Sequence, residues 1–369
     1  MSAAVIRSLY QHALRPALFH LDAERAHELA ASALGIAHRS KLARAALRWM
    51  VGGAPDPRLA TTCFGVQFRS PVMVAAGFDK RAVLYNALGA MGFGAVEVGT
   101  VTARAQPGND RPRLFRLPDD RAVINRMGFN NPGAEEAAKA LASHPPDGVV
   151  LGVNLGKSKV TALEDAPADY AESARRLGPF ADYMVINVSS PNTPGLRSLQ
   201  SVDALRPIVR AVRGALGDRH VPLLVKIAPD LADEDVDAVA DLAWEERLAG
   251  VVATNTTLSR EGLHASPARV AEIGAGGLSG APLRRRATAV IARLWRRGGA
   301  RVPIVGAGGI FTADDAWETL AAGASLVQVY TGFIYEGPTI ARDIARGLAA
   351  RMKREGVASV GDVVGSAHR

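Results

Sequence analysis

The sequence predicts an α/β protein, a (β/α)8 barrel of the TIM type with an N-terminal helical extension, and three observations carry that prediction. From Pro71 onward, eight short apolar runs alternate with helical stretches. The runs open on Val, Ile and Leu and end on polar residues, as expected where strand ends converge on one face. Ahead of them, about 50 residues place apolar side chains at helical spacing.

In the extension, Ile6, Leu9, Tyr10, Ala13, Leu14 and Ala17 share one helical face, and Ala26, Leu29, Ala30, Ala33, Leu34 and Ala37 repeat it. Asp22 stands between the two as an N-cap, and Pro16 is expected to punctuate the first helix. Leu42, Ala46, Trp49 and Met50 give a third, shorter apolar face, and 52–57 reads as a linker. The expected division is therefore an amphipathic helical segment at 1–53 and a barrel at 54–369.

The eight strand candidates are PVMVAAG at 71–77, AVEVGTV at 95–101, VVLGVNLG at 149–156, YMVINVSS at 183–190, VPLLVKIA at 221–228, GVVATNTT at 250–257, VPIVGAGGI at 302–310 and LVQVYTG at 326–332. Lys80, Thr100, Asn154, Asn187, Lys226, Asn255 and Thr256 stand at or just beyond their ends. Closure of the sheet brings such residues around one ligand although they are far apart in sequence. Longer insertions at 102–148 and 258–281 are placed to cover that face.

Composition excludes several classes. An apolar content of 48% in 369 residues supports a large core, and the single Cys63 rules out an internal disulfide framework. No Cys/His cluster has zinc-site spacing, so no metal is expected. Half of the formal charge of +8 lies in residues 1–53, with seven Lys/Arg against three Asp/Glu. Elsewhere Arg is dispersed without a nucleic-acid motif, and no nucleic-acid partner is expected. Arg7 and Arg15 interrupt any signal-peptide core, and the uncharged 319–335 reads as a helix end, a turn and a strand, being too short to span a bilayer.

The richest segment is INVSSPNTPG at 186–195, where an apolar strand ends on Asn187, Ser190 and Asn192. Polar groups at a buried strand exit need partners, and a ligand is one. Lys80 and Lys226 each follow an apolar strand; one rim lysine can simply extend to solvent, but two on one face suit an anion. The GAGG at 306–309 and the turn Tyr330-Thr331-Gly332 end the seventh and eighth strands, where barrels commonly offer backbone N–H groups to a phosphate. Asn125, Asn154, Asn187, Asn192 and Asn255 suit a flat ring rich in C=O and N–H groups better than hydrolytic chemistry. Ser190 lacks a GxSxG context and a histidine partner, which excludes a serine-hydrolase triad. Asp79 beside Lys80 reads as a structural or ligand-positioning carboxylate, and Asp230 as a turn residue.

These residues closely resemble dihydroorotate dehydrogenase, particularly its membrane-associated, quinone-dependent class. The match runs in order through AAGFDK at 75–80, GAMGFGAVEVGTVT at 89–102, QPGNDRPRLFRL at 106–117, INRMGFNN at 124–131, INVSSPNTPGLR at 186–197, VKIAPDL at 225–231, ATNTT at 253–257, GGLSG at 276–280 and GASLVQVYTG at 323–332. The resemblance implies FMN as cofactor, held by Ala76, Gly77, Phe78, Asp79, Lys80, Thr100, Asn154, Asn187, Lys226 and Thr254, with Gly280, Gly309, Tyr330 and Thr331 on its phosphate side. It implies dihydroorotate as substrate and orotate as product, contacted by Lys80, Asn125, Arg126, Met127, Gly128, Phe129, Asn187, Asn192, Asn255 and Thr256. Ser190 occupies the catalytic-base position, with a relay through Thr193 and water.

Serine at position 190, where soluble relatives generally carry cysteine, and the helical extension both point to the quinone-dependent class. LDAERAHELA at 21–30 resembles the segment beside the quinone entrance, which makes His27 and Arg116 candidate quinone contacts; His27 can equally line the helix pair. The implied protein is a peripheral monomer on the cytoplasmic face of the bacterial inner membrane. Its first two helices would lie on the lipid surface and form an apolar funnel toward FMN. A soluble enzyme of the family using fumarate or NAD, and a noncatalytic FMN-binding or phosphate-binding barrel, are the competing readings.

Overall fold

The computed structural model describes residues 3–369. A hairpin of β1 (Thr61–Cys63) and β2 (Val66–Phe68) precedes the barrel strands β3 (Val72–Val74) and β4 (Ala95–Val101). An antiparallel pair, β5 (Leu114–Leu117) and β6 (Ala122–Asn125), interrupts them. The barrel resumes with β7 (Val150–Leu155), β8 (Tyr183–Asn187), β9 (Leu223–Ile227) and β10 (Gly250–Ala253). After β11 (Gly277–Gly280), it finishes with β12 (Ile304–Ala307) and β13 (Leu326–Val329). The eight barrel strands close in chain order, each parallel to the next, and β13 returns to β3. All eight expected strands are present.

Strand alternation sorts the side chains into two cores. Outward Val96, Val98, Met184, Ile186 and Val251 pack under the surrounding helices. Inward Met73, Ala95, Tyr183, Val185, Leu224, Val252, Val305 and Leu326 fill the barrel's lower half, and Cys63, Phe64 and Phe68 of the hairpin pack against them from below. Gly152 makes room for the Tyr183 ring, which a Cβ there would meet at 2.1 Å. One layer higher the inward residues turn polar: Glu97, Asn187, Lys226 and Gln328 are all buried.

Both insertions cover the mouth as expected, and they do so together. β11 from the second pairs with β6 from the first, giving a three-stranded antiparallel sheet β11-β6-β5.

In the extension, Ala3–Leu9, Tyr10–Leu14 and Arg15–His20 follow one another without a break. Pro16 therefore does not end the helix as expected. It lies in the first turn of Arg15–His20, directly after a widened π-helical turn, where a missing N–H costs least. Asp22 caps the Ala23–Arg39 helix by accepting from the amides of Glu24 and Arg25, both at 3.0 Å. Tyr10 Oη donates to the Ile334 carbonyl at 2.6 Å and Arg7 pairs with Glu336 at 3.0 Å, docking the first helix on the barrel. Residues 53–56, inside the expected linker, have no regular structure. No helix among the described residues is long and apolar enough to cross a membrane.

Candidate active site

A cavity enclosing about 1040 Å³ including its mouth opens at the C-terminal ends of the barrel strands. Its floor is the polar inward layer. Lys226 on β9 stands opposite Asn187 on β8 in the strand register, and both are buried. Burial pushes the Lys226 pKa down, opposed by the charge of Glu97. Glu97, fully buried, accepts from Asn154 Nδ2 at 2.7 Å and Gln328 Nε2 at 2.5 Å. Asn187 Nδ2 in turn donates to Thr100 Oγ1 and Asn154 Oδ1, both at 3.1 Å. The floor is thus one hydrogen-bonded network that fixes amide orientations before any ligand arrives.

The loop after β8 forms one wall. The amide of Asn192 donates to Ser190 Oγ at 3.2 Å, which leaves the hydroxyl proton free to be given away. Asn192 Nδ2 donates to Asn125 Oδ1 at 3.2 Å, joining this loop to the covering sheet. Arg197 fastens the loop's far end, donating to the carbonyls of Ser189 at 3.1 Å and Thr256 at 2.9 Å and pairing with Asp230 at 2.8 Å. Across the cavity, Gly308, Gly309, Thr331 and Gly332 line the wall with amides that donate to no group among the described residues. Gly309 has φ +69°, and a Cβ there would lie 2.8 Å from Arg284 Cα, so a side chain would force the loop off the helix behind it.

Most of the expected site residues line this one cavity: Ala76, Gly77, Lys80, Thr100, Asn125, Met127, Gly128, Phe129, Asn187, Ser190, Asn192, Lys226, Thr254, Asn255, Thr256, Gly280, Gly309, Tyr330 and Thr331. Four others do not. The Phe78 ring stacks on Phe333 with centroids 4.9 Å apart. The Asp79 carboxylate accepts from the amides of Val83, Leu84 and Tyr85 at 2.8–3.0 Å, which holds the turn that carries Lys80. Asn154 lies beneath Thr100 and Asn187, and Arg126 turns outward to the carbonyls of Ile273 and Ala275 at 2.6 and 2.8 Å. The side-chain direction set by the local backbone points each of them elsewhere.

Sequence reasoning missed Glu97, Ser279 and Gln328. A glutamate inside AVEVGTV and a glutamine inside LVQV were the available signals, since a polar residue in an apolar strand must point into a polar layer. Gln328 Oε1 and Thr193 Oγ1 are buried and have no hydrogen-bond partner among the described residues. Unpaired buried acceptors of this kind mark where a ligand or water completes the site.

A second cavity lies under the Ala23–Arg39 helix and shares Lys80 and Met127 with the first. His27 and Phe78 line it, their rings edge to face at 5.2 Å, beside charged Glu24, Glu28 and Arg111. Burial, then the Lys80 charge, pushes the His27 pKa down to about 3, so its ring is neutral at any ordinary pH. Arg116 is not at this cavity: its guanidinium donates to the carbonyls of Leu18 (2.9 Å) and Leu21 and covers the Phe19 ring at 4.6 Å, fastening the end of the Arg15–His20 helix.

Fold and site together define a barrel enzyme whose chemistry is built on loops at the C-terminal face. The sequence pattern of the dihydroorotate dehydrogenase family matches residues 58–352. The chain is 57% identical over 362 residues to a dihydroorotate dehydrogenase (quinone) of Kineococcus radiotolerans, covering 96% of this chain and 98% of that one. It is 54% identical over 354 residues to that of Nocardia farcinica, covering 95% of each. A crystal structure of dihydroorotate dehydrogenase from Eimeria tenella in complex with ferulenol superposes with a TM-score of 0.85 at 36% identity, covering 96% of this chain and 99% of that one. The chain belongs to the dihydroorotate dehydrogenase family, in its quinone-dependent class, and is an oxidoreductase.

Proposed function

We propose that the protein oxidises (S)-dihydroorotate to orotate using FMN, and passes the electrons to a membrane quinone in pyrimidine biosynthesis. The observation that carries this reading is the convergence of four groups on one cavity: Ser190, the buried Lys226, the amide cluster and the free amides of Gly309 and Thr331. The residues present fit FMN. Gln328 Oε1 waits for a donor in the floor, and the free amides opposite suit a phosphate. Ala76, Gly77, Lys80, Thr100, Asn187, Lys226, Thr254, Gly280, Gly309, Tyr330 and Thr331 would hold it. Bound there, FMN supplies the two-electron acceptor.

Ser190 Oγ takes the proton from the ring methylene of dihydroorotate as hydride leaves the neighbouring carbon. A serine hydroxyl must lose its own proton to do so, and the orphan Thr193 Oγ1 on the same loop supports a water relay outward. The Asn192 amide on Ser190 Oγ stabilises the negative charge that develops there. Asn125, Asn192, Asn255 and Thr256 orient the ring, and Lys80 meets its carboxylate. Neutral His27 suits hydrogen bonding to a quinone carbonyl in the second cavity.

The test is anaerobic addition of dihydroorotate to the purified protein while following flavin absorbance, then addition of quinone. Bleaching followed by recolouring is expected. A yellow protein that fails to bleach would be a noncatalytic flavin-binding barrel, and recolouring by fumarate or NAD in place of quinone would reassign the acceptor.

Lys80 gives a pH dependence. Burial pushes its pKa down to about 8, against the opposing charge of Glu24. Below that pH the free enzyme presents a cation to the substrate carboxylate, and above it a neutral amine. kcat/KM for dihydroorotate should therefore fall as pH rises through about 8, and Lys80→Arg should abolish this descending limb.

We further propose that residues 1–53 rest on the cytoplasmic face of the inner membrane. Leu29, Ile36, Leu42 and Trp49 are 52–85% exposed on these helices, amid the chain's excess of positive charge. Replacing Leu29, Ile36 and Trp49 together by serine should lower sedimentation with anionic vesicles at least roughly tenfold, since each buried apolar side chain is worth about 1.5–3 kcal/mol. Flavin reduction by dihydroorotate should be unchanged.

A further inference from the structure

The Ala23–Arg39 helix and the Ser190 loop are joined by an unbroken chain of hydrogen bonds. Glu24 and Arg113 form an ion pair whose side chains are each 7% exposed. Arg113 spends its planar fork in two directions. Nε reaches Glu24 Oε1 and Oε2 at 3.2 and 3.1 Å and Nη2 reaches Oε1 at 2.8 Å, while Nη1 holds the carbonyls of Pro107 at 2.8 Å and Asn109 at 2.7 Å. Asn109 Nδ2 then donates to the carbonyls of Arg126 at 3.0 Å and Asn192 at 3.1 Å. Asn192 is the residue whose amide meets Ser190 Oγ and whose side chain meets Asn125.

We infer that Glu24, Arg113 and Asn109 are positioning residues that set the Ser190 loop from the N-terminal extension; the inference rests on the proposed function of that loop. Three features favour a dedicated joint over general packing. Arg113 is a buried cation whose only carboxylate partner among the described residues is Glu24, so its charge is met by the extension. A bidentate guanidinium fixes both distance and orientation. Asn109 packs against Gly128, where a Cβ would lie 2.7 Å from its side chain, so the amide has little freedom to turn away from Asn192. The extension thus serves the dihydroorotate half-reaction as well as the quinone side. Glu24 has a second effect, because its charge is the principal one favouring protonated Lys80, against Arg113, with Glu28 adding to it.

The test uses the FMN-loaded full chain with Asn109→Ala and Glu24→Gln, measured anaerobically by stopped flow. For Asn109→Ala, the limiting rate of flavin reduction by dihydroorotate should fall at least roughly tenfold. Its FMN content, melting temperature and rate of quinone reoxidation should stay within about twofold or a few degrees of the parent, because the ion pair is intact and Asn109 lines neither cavity. For Glu24→Gln the same slowing is expected, and the descending limb of kcat/KM should move below about 8. That shift should be absent from Asn109→Ala. If Glu24→Gln does not fold, Asn109→Ala decides alone. Flavin reduction in Asn109→Ala within twofold of the parent overturns the inference, as do equal losses in both half-reactions with a lowered melting temperature. Failure of the parent itself to bleach would instead count against the proposed function.

Discussion

Replacing Ser190 by alanine is expected to slow anaerobic flavin reduction by dihydroorotate by roughly 10²–10⁴-fold, the usual contribution of a positioned general base. FMN content should be unchanged, because the floor network of Asn187, Thr100, Asn154 and Glu97 does not pass through Ser190. Reoxidation of the chemically reduced flavin by quinone should also be unchanged, since that step needs no proton taken from dihydroorotate. Thr193→Ala should show a smaller loss in the same half-reaction, as expected of a relay in which bulk water can substitute. Unchanged single-turnover reduction in Ser190→Ala would exclude the base role outright.

Replacing Lys226 by methionine should have the next largest effect, for two separate reasons. In the proposed function the buried cation would stabilise the negative charge that arrives with two electrons on the flavin, and such preorganised charge is worth roughly 10²–10³ in rate. The flavin midpoint potential should therefore fall, and flavin reduction should slow by that order. The second reason concerns folding. Glu97 stays buried with its two amide donors but loses the charge of Lys226, which opposes its own across the floor. Without that opposing charge Glu97 is held by its hydrogen bonds alone, so the apoprotein should also unfold at lower denaturant. Lys226→Arg, which keeps the charge, separates the two effects. An unaltered potential in Lys226→Met would remove this lysine from the flavin's electrostatics.

Much of the site was legible because a parallel strand carries its polar residues at its end. YMVINVSS and VPLLVKIA each read as an apolar core strand that stops being apolar at one place. A closed sheet sends all such places to the same mouth. The four residues that do not line the cavity were illegible for the complementary reason. Phe78, Asp79, Asn154 and Arg126 sit in motifs next to residues that do, and adjacency in sequence does not fix direction in space. Asp79 and Lys80 are neighbours, yet one caps a helix turn while the other lines the cavity. Pro16 was misjudged similarly: a missing N–H breaks a regular helix, but a widened turn beside it absorbs the loss.

The sequence alone determined the barrel, its eight strands, the helical extension and the placing of Ser190, Lys80, Lys226 and four of the five asparagines, Asn125, Asn187, Asn192 and Asn255, at one mouth. These follow from periodicity and from local polarity, which act over a few residues. Only the tertiary structure decided how the two distant insertions pair into one covering sheet, and that Glu97 and Gln328 share a polar floor. It also tied Glu24 to the Ser190 loop through Arg113 and Asn109. Those contacts join residues tens to hundreds of positions apart. Their partners are selected by which groups remain unsatisfied once the strands have closed, a condition that no local stretch of chain encodes.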